Sequence, residues 1–197
     1  MRVISGSARS VPLKTVPDLE TRPILDRIKK SLFSILDAAG LIGESRVLDL
    51  YAGAGTLGIE ALSRGAAYGL FVERRPEAIK LLHENLAKTR LAARAEVRQG
   101  EVSRYLEGQA TATNLQPQKQ PFHLIFFDPP FAFSGEQGTR EALEAEMAGA
   151  GALLAPEGRL ILRTERKTEA PSPRGLILAR TWADGPHAIY FDSPQGA

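Results

Sequence analysis

The 197 residues contain no cysteine, one tryptophan, two methionines and three histidines. Without cysteine there is no disulfide framework, no thiolate zinc site and no covalent thiol mechanism, including the attack that C5 methylation of cytosine requires. His83, His123 and His187 are scattered without metal-ligand spacing, so no metal is expected. No apolar run reaches the roughly 18 residues a bilayer-spanning helix needs. The start, Met1-Arg2-Val3-Ile4-Ser5-Gly6, lacks the apolar stretch of a secretory signal. These absences predict a cytoplasmic protein without membrane contact. Hydrophobic content of 43% and charged content of 24% are those of a globular chain, and the length leaves room for one substantial core.

Charge of one sign is also scarce overall, with a net of +2, but it is unevenly placed. Residues 1–30 carry seven basic side chains (Arg2, Arg9, Lys14, Arg22, Arg27, Lys29, Lys30) against Asp18, Glu20 and Asp26, a net of +4, which leaves the remainder at −2. A basic arm on a slightly acidic body suits a surface where phosphates dock at one edge.

The stretch that carries most chemistry is Phe122-His123-Leu124-Ile125-Phe126-Phe127-Asp128-Pro129-Pro130-Phe131. Leu124 to Phe127 read as a strand buried on both faces, and two prolines end it. Asp128 is thereby placed at a strand tip, where open α/β sheets bind their ligands. Transfer of a group to an exocyclic amine needs such a set. The amine lone pair is delocalised into the base ring until acceptors hold its N–H groups in a geometry favouring a pyramidal nitrogen. Asp128 Oδ and the Pro129 carbonyl supply two acceptors, and Phe131 an aromatic face for stacking. The same residues would also serve as a plain turn followed by a core aromatic.

Along the chain, Arg2-Val3-Ile4 and Val11-Pro12-Leu13 predict a loose hairpin. Thr21-Arg22-Pro23 predicts the start of a helix to about Ala39, with Ile24, Ile28, Leu32, Ile35 and Leu36 inward and Arg27 beside that stripe, available to the site. Val47 to Tyr51 forms the first strand of the main sheet, followed by Ala52-Gly53-Ala54-Gly55-Thr56-Leu57-Gly58 opening a helix. Such a turn lets a cofactor approach the backbone closely. Gly69 to Val72 is the second strand, closed by Glu73, an acid placed to accept ribose hydroxyls. A helix from Pro76 to about Lys88, a weak strand at Ala95 to Arg98 and a short helix to Leu106 follow. The aperiodic polar residues 108–121 read as a mobile surface loop. A helix at about Glu136 to Gly149 and strands at Arg159 to Leu162, Leu176 to Ala179 and Ala188 to Phe191 complete the chain, the last two predicting an antiparallel edge hairpin. Glu60 is expected to pair with Arg64 on the surface, Asn85 to be a helix-face amide, His123 a core histidine and Trp182 a packing residue.

Gly53-x-Gly55-x-x-Gly58 with Glu73 also fits a dinucleotide fingerprint, so a nicotinamide-dependent oxidoreductase is the reading from another class. Asp49, just before the turn, argues for a cationic amino or sulfonium neighbourhood instead of a pyrophosphate. Asp49, Gly53, Gly55, Glu73 and Glu101 together suit S-adenosylmethionine.

Thr21-Arg22-Pro23 with Asp26-Arg27, the run from Val47 to Gly65, and Asp128-Pro129-Pro130-Phe131 resemble the RsmD family of 16S rRNA guanine-N2 methyltransferases over essentially the whole chain. The resemblance implies a class I S-adenosylmethionine-dependent methyltransferase, Rossmann-like, with a mostly parallel seven-stranded sheet and an antiparallel edge. It implies an RNA-binding hairpin-helix extension at 1–40 and a methyltransferase domain at 41–197. Carried over, Asp128, Pro129, Pro130 and Phe131 would clamp the base. Asp49, Tyr51, Gly53, Gly55, Glu73, Arg74, Glu101 and Val102 would hold S-adenosylmethionine, and Arg2, Arg9, Arg22 and Arg27 would guide RNA. The implied substrate is 16S rRNA or the 30S subunit, and the implied state a monomer. The chain departs from the family at Ser10-Val11-Pro12, where a Gly-Arg-Lys-like run is usual, and at Glu101, where Asp or Asn is common. An adenine-N6 methyltransferase of DNA or RNA follows the same acceptor logic, and a nucleic-acid-binding protein without catalysis is a third possibility.

Overall fold

The computed structural model of the chain describes residues 1–15, 24–111, 120–130, 137–166 and 169–196. Seven strands form one sheet in the order β3-β2-β1-β4-β5-β7-β6. They are β1 (Arg46–Leu50), β2 (Tyr68–Glu73), β3 (Ala95–Gln99), β4 (Phe122–Phe127), β5 (Leu154–Glu165), β6 (Leu176–Asp184) and β7 (His187–Pro194). The first five pair in parallel, with a helix in each connection between successive strands. β7 runs antiparallel between β5 and β6. The predicted hairpin is therefore present, but the last strand lies inside the sheet. The composition explains this: β7 carries Ala188, Ile189, Tyr190 and Phe191, all buried, whereas most of β6 is exposed. An all-parallel dinucleotide-binding sheet has no such inserted strand.

Alternation along the strands feeds two cores. Val47, Phe71, Leu124, Phe126, Ile161 and Ile189 meet α1 (Asp26–Ala38), α2 (Thr56–Ser63) and α3 (Pro76–Thr89) on one face. Leu48, Leu50, Val72, Ile125, Phe127, Leu160 and Leu162 meet α4 (Val102–Thr111) and α5 (Gln137–Gly151) on the other. Phe33 of α1 packs on Phe126 with ring centroids 5.6 Å apart, so the N-terminal extension shares the core of the sheet. The helix starts at Asp26, after an extended Leu25. Thr21-Arg22-Pro23 lies outside the described residues, as do Phe131 and residues 112–119 of the polar loop, whose first part is the end of α4.

The first 15 residues are held by polar contacts buried under them. The Glu60 carboxylate accepts the N–H groups of Ile4 and Ser5 at 2.8 and 3.0 Å. It pairs with Lys29 at 3.3 Å and Arg64 at 2.8 Å. Glu60 and Lys29 are fully buried, so the expected Glu60–Arg64 pair forms, but beneath the hairpin and not at the surface. Ser63 Oγ accepts the Ala8 N–H and donates to the Ser5 carbonyl. A Cβ on Gly6 would lie 1.8 Å from the Ser63 carbonyl oxygen, so this close approach needs glycine. Asn85, expected on an open helix face, is buried, and His123, expected in the core, is exposed, its Nδ1 accepting the Arg46 N–H. Trp182 packs against the first core.

Asp192 on β7 is buried, its Oδ2 has no hydrogen-bond partner among the described residues, and burial pushes its carboxyl up to about 6. Its folded value lies above the unfolded one of roughly 3.9, so folding favours the protonated form. The stability this contributes is complete below the unfolded value and is lost as pH rises through about 6. Asp192→Asn should therefore raise the melting temperature at neutral pH far more than near pH 4. Equal gains in calorimetry at both pH values would overturn the assignment.

Candidate active site

The site is built on the carboxyl ends of β1, β2, β4 and β5. Asp49 follows the period of Val47 and faces α2, where its Oδ2 accepts the Gly58 N–H at 2.9 Å. It is buried, and burial pushes its carboxyl well above the ordinary range, with the charges of Asp128 and Glu73 adding to the push. Glu73 is also buried. Its Oε2 accepts the Gly53 N–H at 2.8 Å, and its Oε1 accepts those of Arg74 and Arg75, both at 2.9 Å. Three of the carboxylate's roughly four lone-pair positions are thus taken by backbone, which fixes the group at the base of the turn.

Gly55 sits in the left-handed region, with φ 77°, and a Cβ there would meet Leu82 at 2.2 Å. Gly58 lets α2 lie close on β2, since a Cβ would come 2.4 Å from the Phe71 ring. Tyr51 also has positive φ, 58°. This conformation is uncommon for an aromatic residue, and such backbone strain clusters at binding sites. It breaks the alternation of β1 and sends the ring to the other core, edge-on to Phe127. There the hydroxyl donates to Glu146 of α5 at 2.5 Å, and burial together with that carboxylate pushes the phenol upward. Arg74 and Glu101 are exposed and pair at 3.4 Å. Val102 is buried at the start of α4, within the second core.

Asp128 follows β4, one step beyond the paired Leu50 and Phe127. Its carboxylate is bound by both arms of Arg163, with Nε donating to Oδ1 at 2.8 Å and Nη2 to Oδ2 at 2.9 Å. Arg163 stands one step beyond Leu162, the β5 partner of Phe127. By strand alternation Asp49, Glu73, Asp128 and Arg163 lie on one face at one end of the sheet. Pro129 is buried after Asp128. Sequence reasoning missed Arg163. Its signal was a cation closing the apolar run Leu160-Ile161-Leu162, one strand from Asp128.

The basic residues of the extension gather elsewhere. Arg2, Arg9, Arg27 and Lys30 line a cavity of about 460 Å³ with Asp26. Arg27 does not reach the carboxylate cluster and pairs with Asp184 of β6 at 2.7 Å. Arg2 lies 3.7 Å from Asp26. Asn85 of α3 joins the extension to the glycine turn: Nδ2 donates to the carbonyls of Lys14 and Ala54, and Oδ1 accepts the Lys14 N–H. Among the described residues no group of acidic or histidine side chains is arranged to hold a metal, and no helix is long and apolar enough to cross a membrane.

The strand order, the glycine turn and the strand-tip acid can be set beside known proteins. The sequence model of the family described as conserved hypothetical protein 95 matches residues 1–191. The chain belongs to this family. Relatives carry the RsmD name that the motifs implied. Ribosomal RNA small subunit methyltransferase D of Haemophilus influenzae is 31% identical over 188 residues, covering 94% of this chain and 89% of its own. YlbH of Bacillus subtilis, provisionally named an rRNA methyltransferase, is 35% identical over 181 residues, 91% of each chain. The solved structure of yhhF from Escherichia coli, provisionally named a methyltransferase, superposes with a TM-score of 0.77 at 29% identity, covering 100% of this chain and 99% of that one. The fold is that of the class I methyltransferases.

Proposed function

We propose that this protein transfers a methyl group from S-adenosylmethionine to the exocyclic N2 amine of a guanine in small-subunit rRNA, free or within the 30S particle. The observation that carries the reading is the delivery of Asp128-Pro129 from the tip of β4 to the strand end that also holds the glycine turn and Glu73. Family membership supports it, because relatives are named as rRNA methyltransferases.

The residues fit the donor. Three carboxylates, Asp49, Glu73 and Asp128, lie near enough to act on one another, and Asp49 is held against its charged form. Burial is the chief cause and the neighbouring charges add to it, so a ligand bearing a cationic sulfonium and ammonium favours the charged carboxylates, whereas a pyrophosphate disfavours them. Glu73, fixed by three N–H donors, would accept from a ribose hydroxyl, and Gly53 lets the ligand approach the backbone, since a Cβ there would meet nothing within 4 Å. Bound there, S-adenosylmethionine would supply an electrophilic methyl group, the electron pair of the broken S–CH3 bond staying on sulfur as S-adenosylhomocysteine leaves. Asp128 and the Pro129 carbonyl accept the amine N–H groups and direct its lone pair along the line of attack. Positioning then provides most of the rate. The surplus amine proton leaves to water, so no strong base is required. Asp128 accepts a hydrogen bond and need not take the proton.

RNA would enter across the extension, whose Arg2, Arg9, Arg27 and Lys30 surround one cavity. Arg9→Glu combined with Lys30→Glu should weaken rRNA binding and reduce the slope of log K against log salt by about 0.7–0.9 per lost phosphate contact. Affinity for S-adenosylmethionine should not change. An unchanged slope would remove the cavity from the RNA path. The function itself is tested by incubating unmodified small ribosomal subunits with labelled donor, digesting the RNA and identifying the nucleoside by mass spectrometry. N2-methylguanosine is expected; N6-methyladenosine would move the assignment to the related amine, and no label in RNA would refute it.

A further inference from the structure

We propose that Arg163 is a positioning residue for base methylation, holding the Asp128 carboxylate in the one orientation in which its remaining lone pairs meet the substrate amine. This rests on the reading of Asp128 as the amine's acceptor. Arg163 makes two parallel contacts to one carboxylate, at 2.8 and 2.9 Å. That fork fixes the plane of the carboxylate, which a single donor would leave free to rotate. The guanidinium takes one lone pair on each oxygen and leaves the other pair available to the N–H groups of a base.

Placement adds a second argument. Arg163 is 7% exposed and comes from the neighbouring strand, β5, whose pairing with both β4 and β7 makes it rigid. Asp128 lies just past the last paired residue of β4, and Pro129 and Pro130 after it cannot continue the ladder, so nothing in its own strand fixes its side chain. The carboxyl end of the sheet is rich in carboxylates, and Arg74 and Arg75, the cations near Glu101 and Glu73, are more exposed than Arg163. A lysine could neutralise Asp128, but it could not set its plane.

The test uses the full chain, unmodified small subunits and S-adenosylmethionine. Arg163→Ala should lower kcat about 100-fold, the scale of a misplaced reacting group, with little change in KM for either substrate. Arg163→Lys should fall between it and the wild type. Added guanidinium ion, at concentrations too low to denature, should restore part of the lost kcat in Arg163→Ala, while ammonium should not. The variant Asp128→Ala/Arg163→Ala should be no slower than Asp128→Ala alone, because Arg163 acts through Asp128. It also removes both charges at once, so it remains measurable if the lone arginine substitution folds poorly. Full turnover in Arg163→Ala, or losses that multiply in the double variant, would overturn the inference. If Asp128→Ala itself keeps full activity, the base-clamp reading fails first; if it is inactive while Arg163→Ala is not, only the positioning role falls.

Discussion

Asp128→Ala is expected to lower kcat for methyl transfer by about 100- to 1000-fold, the cost of removing one preorganised group from a reacting centre, leaving a slow turnover that single-turnover assay still reads. S-adenosylmethionine should still bind, because the glycine turn is held by Glu73 and Asp49, which do not depend on Asp128 for their hydrogen bonds. Calorimetric titration with the cofactor and single-turnover assay of the same preparation separate the two effects. The substitution also takes from Arg163 its two contacts to the Asp128 carboxylate, so the melting temperature must be followed and assays run well below it. Asp128→Asn keeps the shape of the side chain but presents one donor where the native group presents only acceptors. It should be nearly as inactive while unfolding closer to the wild type. A folded Asp128→Ala protein with native turnover would sink the proposed chemistry.

Glu60→Ala should be the most damaging substitution for stability. It leaves the fully buried Lys29 ammonium without its carboxylate, takes one of the two carboxylates that pair with Arg64 and removes the acceptor for two backbone N–H groups of the extension. Burial already pushes the Lys29 amine below its usual value, with Glu60 the chief opposing influence. Breaking a buried pair from one side costs about 3–5 kcal/mol, or a melting temperature lower by about 10 °C in a chain of this length. Glu60→Gln, which keeps the shape and one acceptor oxygen but sets an NH2 donor against the N–H groups the other oxygen accepted, should lose less than alanine. Thermal unfolding decides it: a loss under about 1 kcal/mol would mean that the contact behaves as an exposed pair. Because Glu60 anchors Ile4 and Ser5, the alanine variant should also bind rRNA more weakly where it remains folded.

The pattern of the core was legible in the residues themselves. Continuous apolar runs such as Leu124 to Phe127 announced doubly covered strands, and the glycine turn after Val47 to Tyr51 announced a helix start. The strand tip at Asp128 followed from two prolines. Boundaries moved where pairing extends a strand beyond its apolar centre, as in β5, expected at Arg159 to Leu162 and observed at Leu154–Glu165. The polar contacts were misread for one reason. Glu60, Lys29 and Asn85 look like solvent-facing groups within their own helices, and only a distant segment covers them. Arg163 was missed in the same way, since its partner lies 35 residues away.

Periodicity and turn chemistry are local, so the order of residues alone determined the alternation of strand and helix, the glycine turn and the acid at the tip of β4. Contacts between segments remote in the chain follow from how sheets and helices close on one another. Tertiary structure therefore decided the insertion of β7, the burial of Glu60 with Lys29 beneath the extension, and the fork of Arg163 on Asp128. Burial is what turns each of these from an ordinary surface charge into a group whose partner matters, and burial is a property of the closed molecule.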